Sequence, residues 1–376
     1  MTTDLTVKPL SAEAPRPKFS GSDRFIRELR KRVDAYFENS GRSKRDSPKM
    51  YFKTATILVW FFGAYLLLMF AVHSWYTIVP LAIILGLGLA AIGFNIQHDG
   101  GHKGYSRYNW INKIMALTLD LMGGSSYLWD WKHNSIHHTY TNITGEDDDI
   151  DLGFLARLSP HQRRFWFHRL QGIYMWALYG FMAIKWHLFD DFYQLAKAEI
   201  GGHKIPRPRG KDLLVFIGGK VLFFTMAFAL PIWLHGFWIP VAVYALAAFV
   251  SGVVLSVVFQ LAHCVGEAHF PMPTDNAQGQ SRMATDWAVH QVMTTVDFSR
   301  RNPVMSWFVG GLNFQIEHHL FHKISHVHYP ALSKVVEAVC KEHGITYAEH
   351  RTFFGAVRAH YRWLRDMGRA PMVPAA

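Results

Sequence analysis

YTIVPLAIILGLGLAAIGFNIQHDGGH, residues 76–102, decides the fold. From Tyr76 to Gln97 it contains no Asp, Glu, Lys or Arg. As a helix rising about 1.5 Å per residue, it is long enough to cross a bilayer core. The run ends at His98, and His102 follows four residues later. Residues four apart share a helix face, so two imidazoles stand together where the apolar run stops.

Working outward, TATILVWFFGAYLLLMFAV (Thr54–Val72) precedes this stretch across a short His73–Trp75 link. It would reach about 28 Å as a helix. A second pair of apolar runs lies at Leu213–Leu234 and Trp238–His263, joined by a turn containing Gly236. The pattern predicts an all-α integral membrane protein with four transmembrane helices in two hairpins. Neither outer turn holds Lys or Arg, whereas the N-terminus, the central segment and the tail are basic. Those three are therefore expected on the cytosolic side. The expected organisation is a basic cytosolic N-terminal segment (1–50), a first hairpin (51–98), cytosolic and interfacial helices (99–212), a second hairpin (213–263) and a cytosolic C-terminal cap (264–376). Residues 1–50 read as a disordered tip and then a surface helix, without the apolar core of a signal peptide.

Two further segments invite a transmembrane reading. Ile111–Trp129 carries Asn112, Lys113 and Asp120, and Ile173–Phe189 carries Lys185 and His187. Charge at the bilayer centre is costly, so both are expected to lie at the interface. Lys220 sits inside the third run about two turns from its cytosolic end, and its amine is expected to snorkel outward.

The chain has 376 residues, 50% hydrophobic, with a net charge of +11. No nucleic-acid-binding module appears, so the excess charge is read as facing anionic lipid headgroups on the cytosolic side, not nucleic acid. The two cysteines, Cys264 and Cys340, form no CxxC pair and imply neither a disulfide framework nor a thiolate metal site. The outlier is histidine, at 22 residues, and imidazole is the commonest metal ligand.

Three histidine clusters stand out. HDGGH supplies His98 and His102. HNSIHH supplies His133 and His137 on one face of a helix, with His138 turned about 100° away, a disposition suited to bridging neighbouring metals. QIEHH places Gln315, His318 and His319 on one helical stripe. His263 ends the fourth apolar run as His98 ends the second. A lone pair of spaced histidines is often a surface coincidence, but three clusters at or just beyond cytosolic helix ends argue for one shared site. Eight histidines exceed the four ligands of zinc and the six of iron, so two metals are expected. An all-nitrogen set with open positions favours iron and oxygen chemistry.

At HDGGHKGYS (His98–Ser106), HNSIHHTYTNITGEDDDIDLG (His133–Gly153), TTVDFSRRNP (Thr294–Pro303), GGLNFQIEHHLF (Gly310–Phe321) and HVHYPAL (His326–Leu332) the chain resembles the integral-membrane fatty acid desaturases. The resemblance runs from about Asp23 to Glu349. Gln315 at the head of the third box is similar to the subgroup holding front-end, linoleoyl-CoA-type and some bacterial acyl desaturases. The resemblance implies a non-haem di-iron centre under a cytosolic cap. It also implies O2-dependent removal of two hydrogens from adjacent methylenes of an acyl chain, giving a cis double bond. The acyl carrier stays open among CoA, acyl carrier protein and lipid. Carried over by position, the metal ligands are His98, His102, His133, His137, His138, His263, His318 and His319, with Gln315 as a weak or water-mediated ligand.

Further residues are assigned around that set. Asp147 and Asp149 in the EDDDID run read either as a solvated turn or as carboxylates that orient a ligand imidazole. Asn313 and Glu317 are expected to serve similarly. His326 and His328 are expected either to sit behind the ligands or to be structural. His322, which stands where relatives commonly have proline, is expected to face solvent or to sit behind the ligands, not to be a further ligand. Some front-end relatives carry a fused haem domain with an HPGG motif. Residues 1–50 lack that motif and are too short for the domain, so the expected electron donor is a separate ferredoxin or cytochrome b5. Two rivals remain: a related di-iron hydroxylase or ketolase, and a histidine-rich metal transporter or membrane haem protein.

Overall fold

The computed structural model describes residues 16–275 and 280–371; the tip expected to be disordered falls largely on residues 1–15, outside the described residues. The main helices are α1 (Arg24–Ser40), α2 (Pro48–Phe70), α3 (Trp75–Gly101), α4 (Asn109–Ala116), α5 (Gln171–Gly180), α6 (Lys211–His235), α7 (Trp238–His263), α8 (Trp287–Thr294), α9 (Gln315–Phe321), α10 (Tyr329–Glu342) and α11 (Phe353–Met367). The strands are two or three residues long and only clip loops together. One such clip pairs Lys18–Phe19 with Ser281–Met283 in parallel.

Among the described residues, α2, α3, α6 and α7 are the helices long and apolar enough to cross a membrane. Their outward faces carry large apolar side chains in the open, such as Val59 (73% exposed) and Leu214 (71% exposed), which water would disfavour and lipid would accept. Trp75, Tyr76, Trp233 and Trp238 are exposed at the ends farthest from His98 and His263, the distribution of an aromatic belt. The chain is a membrane protein.

Inside the bundle α3 packs on both α2 and α7. The α3–α7 approach depends on Gly86, where a Cβ would stand 2.5 Å from the Ala247 carbonyl oxygen. A cavity of about 100 Å³ remains between the four helices, walled by Phe61, Leu85, Leu89, Phe223 and Tyr244 and by Met122 from the segment below. Ile111–Trp129 breaks into short helices near the inner ends of α3 and α6, and Ile173–Phe189 into short helices along α7 near Tyr244, Phe249 and Gly252.

Several of the remaining helices pack on one another beside the inner ends of α3 and α7, and are termed the cap. α1 buries Phe25, Leu29, Val33 and Phe37, an i, i+4 stripe, against α8 and α10. α11 is tied to the inner end of α7 by His360, whose Nδ1 donates to the Cys264 carbonyl at 2.7 Å while Nε2 accepts from Tyr179 Oη at 2.7 Å. His290 on α8 bonds the Thr141 carbonyl at 2.9 Å.

Lys220 departs from the sequence expectation. It does not snorkel out but is buried, with Nζ 2.6 Å from Asp191 Oδ2 and 2.6 Å from the Gly123 carbonyl. The periodicity of the apolar run cannot reveal a partner on a different segment. Lys220→Met or Asp191→Leu alone strands a buried charge and should cost about 3–5 kcal/mol, whereas the double change should recover most of it. Thermal unfolding in detergent checks this; single variants as stable as the parent would contradict it.

Burial pushes His360 and His290 down to about 4 from an ordinary 6.5. Between those values the unfolded chain binds protons that the folded chain refuses. Their stabilisation is therefore full above pH 6.5 and is lost as pH falls toward 4. The unfolding midpoint of chelator-treated protein should fall from about pH 7 to 5, and His360→Gln should shrink that fall. A midpoint flat over this range would contradict the assignment.

Candidate metal centre

Both of the first two clusters sit where a helix widens. α3 passes into a π-helical turn at Gly93–Gln97 just before His98, and Asp130–His137 is π-helical throughout. Such widened turns are frequent at functional sites. The sequence expectation turned His138 about 100° away from the face shared by His133 and His137, on ordinary helical geometry. The wider turn instead brings it back: His133 and His138 have their Nε2 atoms 3.3 Å apart, and the rings of His133 and His137 stack 5.2 Å apart. Gly101 in HDGGH permits the close approach of Trp129, since a Cβ there would stand 2.3 Å from the indole.

The eight histidines His98, His102, His133, His137, His138, His263, His318 and His319 are all buried, and the fold brings them together. Nitrogens of His98, His102, His133 and His318 lie within 4.8 Å of one another, as do those of His137, His263 and His319. His138 forms a third such group with His318 and His319, linking the first two. His318 and His319, neighbours on α9, thus face different groups. Nε2 of His98 and Nε2 of His133 are 3.2 Å apart. Two imidazole nitrogens bound at about 2.0–2.1 Å to one ion would be separated by roughly 3 Å.

The chemistry of these nitrogens fits a metal. Both ring nitrogens of His102 and His318, Nδ1 of His138 and Nε2 of His319 are buried without a hydrogen-bond partner among the described residues. Polar atoms left so are costly unless something else satisfies them. Burial, reinforced by the neighbouring imidazoles, pushes His102, His138, His318 and His319 well below the usual range. The rings are neutral and offer lone pairs.

The outer nitrogens are held from behind. His137 Nδ1 is 3.1 Å from both carboxylate oxygens of Asp147. Burial pushes that ring down, and Asp147 with Asp149 more than reverses it. Asp149 lies 3.5 Å from His137 Nδ1 and 4.0 Å from His133 Nδ1. Burial raises its carboxyl, but Lys132 and the two imidazoles hold it well below the usual carboxylate range. His319 Nδ1 faces Gln291 Oε1 at 2.7 Å, leaving Nε2 inward. The Gln315 amide stands in the same group, with Nε2 3.1 Å from His263 Nε2 and Oε1 buried without a partner.

The expectations for Asn313 and Glu317 need correction. Asn313 bonds Ser306 Oγ at 3.0 Å and the Ser299 carbonyl at 3.4 Å, and Glu317 bonds Tyr347 Oη at 3.0 Å; neither is hydrogen-bonded to an imidazole. Both side chains are engaged elsewhere, by Ser299, Ser306 and Tyr347. His328 packs its ring on Phe37, 5.0 Å between centroids, and belongs to the cap core. His326 has both nitrogens engaged, Nδ1 with Asp99 Oδ1 and Nε2 with Lys53 Nζ, each at 2.9 Å. His322 is partly exposed, with its ring centroid 5.0 Å from those of His102 and His138.

Four supporting residues were not singled out from sequence. Asp99 ties the first box to the His326 segment, although it lies inside the quoted HDGGH. Asn142, in left-handed backbone (φ 59°), donates its amide to the carbonyls of His263, His269 and Thr294. Gln291 and Thr141 back His319; Thr141 lies inside the quoted second box, whereas nothing in its local sequence marks Gln291.

The fatty acid desaturase family model matches residues 73–351. The chain is 40% identical to an sn-1 linoleoyl-lipid 6-desaturase of Arthrospira platensis, over 97% of this chain and 98% of that one. It is also 40% identical to an sn-1 linoleoyl-lipid 6-desaturase of a Synechocystis species, over 95% and 99%. An acyl-lipid (8-3)-desaturase of Physcomitrium patens is 36% identical over 90% of this chain and 71% of its own length. With buried histidine groups gathered at one end of an apolar helical bundle, the chain belongs to the fatty acid desaturase family and is an enzyme of that class.

Proposed function

We propose that this desaturase inserts a cis double bond near the carboxyl end of a lipid-linked acyl chain. On this reading it uses two irons, O2 and two electrons from a separate carrier such as a ferredoxin or cytochrome b5. The observation that carries the reading is the set of buried, neutral and partnerless imidazole nitrogens at the inner end of the bundle. The names of the relatives, which specify linoleoyl-lipid and acyl-lipid, support lipid over CoA or acyl carrier protein as the carrier. The bundle would stand as two hairpins with both termini, the cap and the site on the cytosolic side, which the basic inner segments support.

His98, His102, His133 and His318 would hold one ion, and His137, His263 and His319 with Gln315 the other, with His138 between them. Iron there supplies the oxidant needed to break an unactivated C–H bond. The balance is two hydrogens from adjacent methylenes, O2, two electrons and two protons, giving one double bond and two waters. Asp147 fixes the His137 tautomer by accepting from Nδ1, and Gln291 does the same for His319. The cavity among the four long helices would receive the methyl side of the chain, where Phe61, Leu85 and Leu89 exclude water. A transporter would place ligands near the membrane midplane, not at a helix end.

Expression in a host of defined lipids, with fatty acids read by gas chromatography, should reveal a new double bond. A product that gains oxygen instead would favour the hydroxylase reading, and no product from any supplied chain would contradict both. His137→Ala or His319→Ala should remove the product and lower the metal content. Asp147→Asn should weaken metal binding about 10–100-fold without loss of fold; unchanged metal content in it would rule out the orienting role.

A further inference from the structure

The metal centre approaches solvent on two sides, and these carry opposite charge. On one side the run from Asp148 to Asp151 lies over His133 and His137, with Asp149 at one-third side-chain exposure. On the other side, His322 is partly exposed, whereas the eight histidines behind it are buried.

Three loops meet around His322. The 41–47 loop is fastened there by Arg45 Nε donating to the Lys323 carbonyl at 2.9 Å and by the Ser325 amide donating to the Lys44 carbonyl at 3.0 Å. The 102–107 loop passes so close that a Cβ on Gly104 would stand 2.9 Å from the His322 carbonyl oxygen. The third is the 322–325 turn. Together they present Arg42, Lys44, Arg45, Lys103 and Lys323. Lys44 pairs with Asp34, but no carboxylate among the described residues pairs with the other four. No large apolar side chain is exposed in 36–47, 101–107 or 321–328.

A second basic surface has a different character. Arg169 lies over Trp166 (75% exposed) and Arg163 over Phe165, with Arg164 between them in the chain and Ile173 (71% exposed) farther along it. Cations mixed with open apolar side chains suit a lipid headgroup layer. At the surface around His322 the exposed apolar side chains Tyr108 and Trp110 come only past Arg107, which lies over Tyr108, whereas the loops bearing Arg42, Arg45, Lys103 and Lys323 expose none. This surface also lies directly over the metal centre: Lys103 follows His102 in the chain, and the His322 ring separates the surface from His102 and His138.

We propose that the surface of Arg42, Arg45, Lys103 and Lys323 around His322 is the docking site for an acidic one-electron carrier protein. The inference rests on the desaturase reading, which requires two electrons from outside. Opposite charge raises the rate and the specificity of such an encounter, and salt weakens it. The face at Asp148–Asp151 stays net negative with Lys132 paired to Asp148 at 2.8 Å and Asp149 at 3.2 Å and would disfavour the same partner, so charge selects one of the two approaches.

The test uses the full chain in nanodiscs of neutral lipid, with a reduced [2Fe–2S] ferredoxin and, separately, the soluble domain of cytochrome b5 as probes. For at least one probe, Arg42→Glu/Lys323→Glu should raise both the equilibrium Kd and the KM about tenfold at low salt. Metal content and the rate at saturating carrier should stay near those of the parent. Lys103→Glu alone should act in the same direction, and Arg164→Glu at the second surface should change neither constant. If neither probe binds the parent, or binding is unchanged in the His322-surface variants, the assignment is wrong. Weaker association with phosphatidylglycerol vesicles alongside an unchanged carrier Kd would assign the surface to the membrane and also overturn it. Because binding is read independently of turnover, loss of binding in a chain that makes no unsaturated product would sink the desaturase reading and leave the docking surface standing.

Discussion

Eight imidazoles can be buried against one another only if they are uncharged and their inward lone pairs bind something. Each added proton would place a charge in a dry site among like neighbours. Each unpartnered nitrogen would forfeit its hydrogen bonds to water. Metal ions remove both penalties at once, and the surrounding structure is arranged accordingly. Asp147 and Gln291 occupy the outer nitrogens of His137 and His319, so that the other nitrogen faces in. Asn142 gathers the carbonyls of His263, His269 and Thr294, the last of which faces His263 Nδ1 at 3.4 Å. The apolar bundle supplies His98 and His263 at the same end, which fixes the height of the site relative to the cavity between the helices.

That placement joins two incompatible environments. A hydrocarbon chain needs an apolar, water-free enclosure, whereas metal ions need polar ligands and a path for electrons. The inner helix ends satisfy both: below them Leu85, Leu89 and Phe61 line the cavity, and above them the cap covers the ligands. Trp129 stands between, stacked on His133 at 4.6 Å and close against Gly101.

Much of this was legible in the sequence because it depends on strong, local signals. Uninterrupted apolar runs mark the four long helices, and their bounds shift by only a few residues in the structure: Thr54–Val72 becomes Pro48–Phe70, and Leu213–Leu234 becomes Lys211–His235. Histidine clusters identify the ligand set as a group. What was not legible depends on distant partners or on backbone irregularity. Lys220 finds Asp191 on another segment, and His326 finds Asp99 and Lys53. The π-helical turn at Asp130–His137 changes which faces its histidines share, and spacing alone assumes a regular helix. Asn313 and Glu317, adjacent in sequence to the third box, turn away from it for the same reason: contact follows helix direction and packing, not proximity along the chain.

The most direct measurement is the metal content of the purified, catalytically competent chain, by elemental mass spectrometry with Mössbauer spectroscopy of iron-enriched protein. Eight histidines exceed the roughly six ligands one ion can take, which calls for two ions. The expected result is about two irons per chain in nitrogen-rich coordination, falling together when His138 is replaced by Ala. A single ion per chain, or zinc in a closed four-ligand site with full activity, would contradict it.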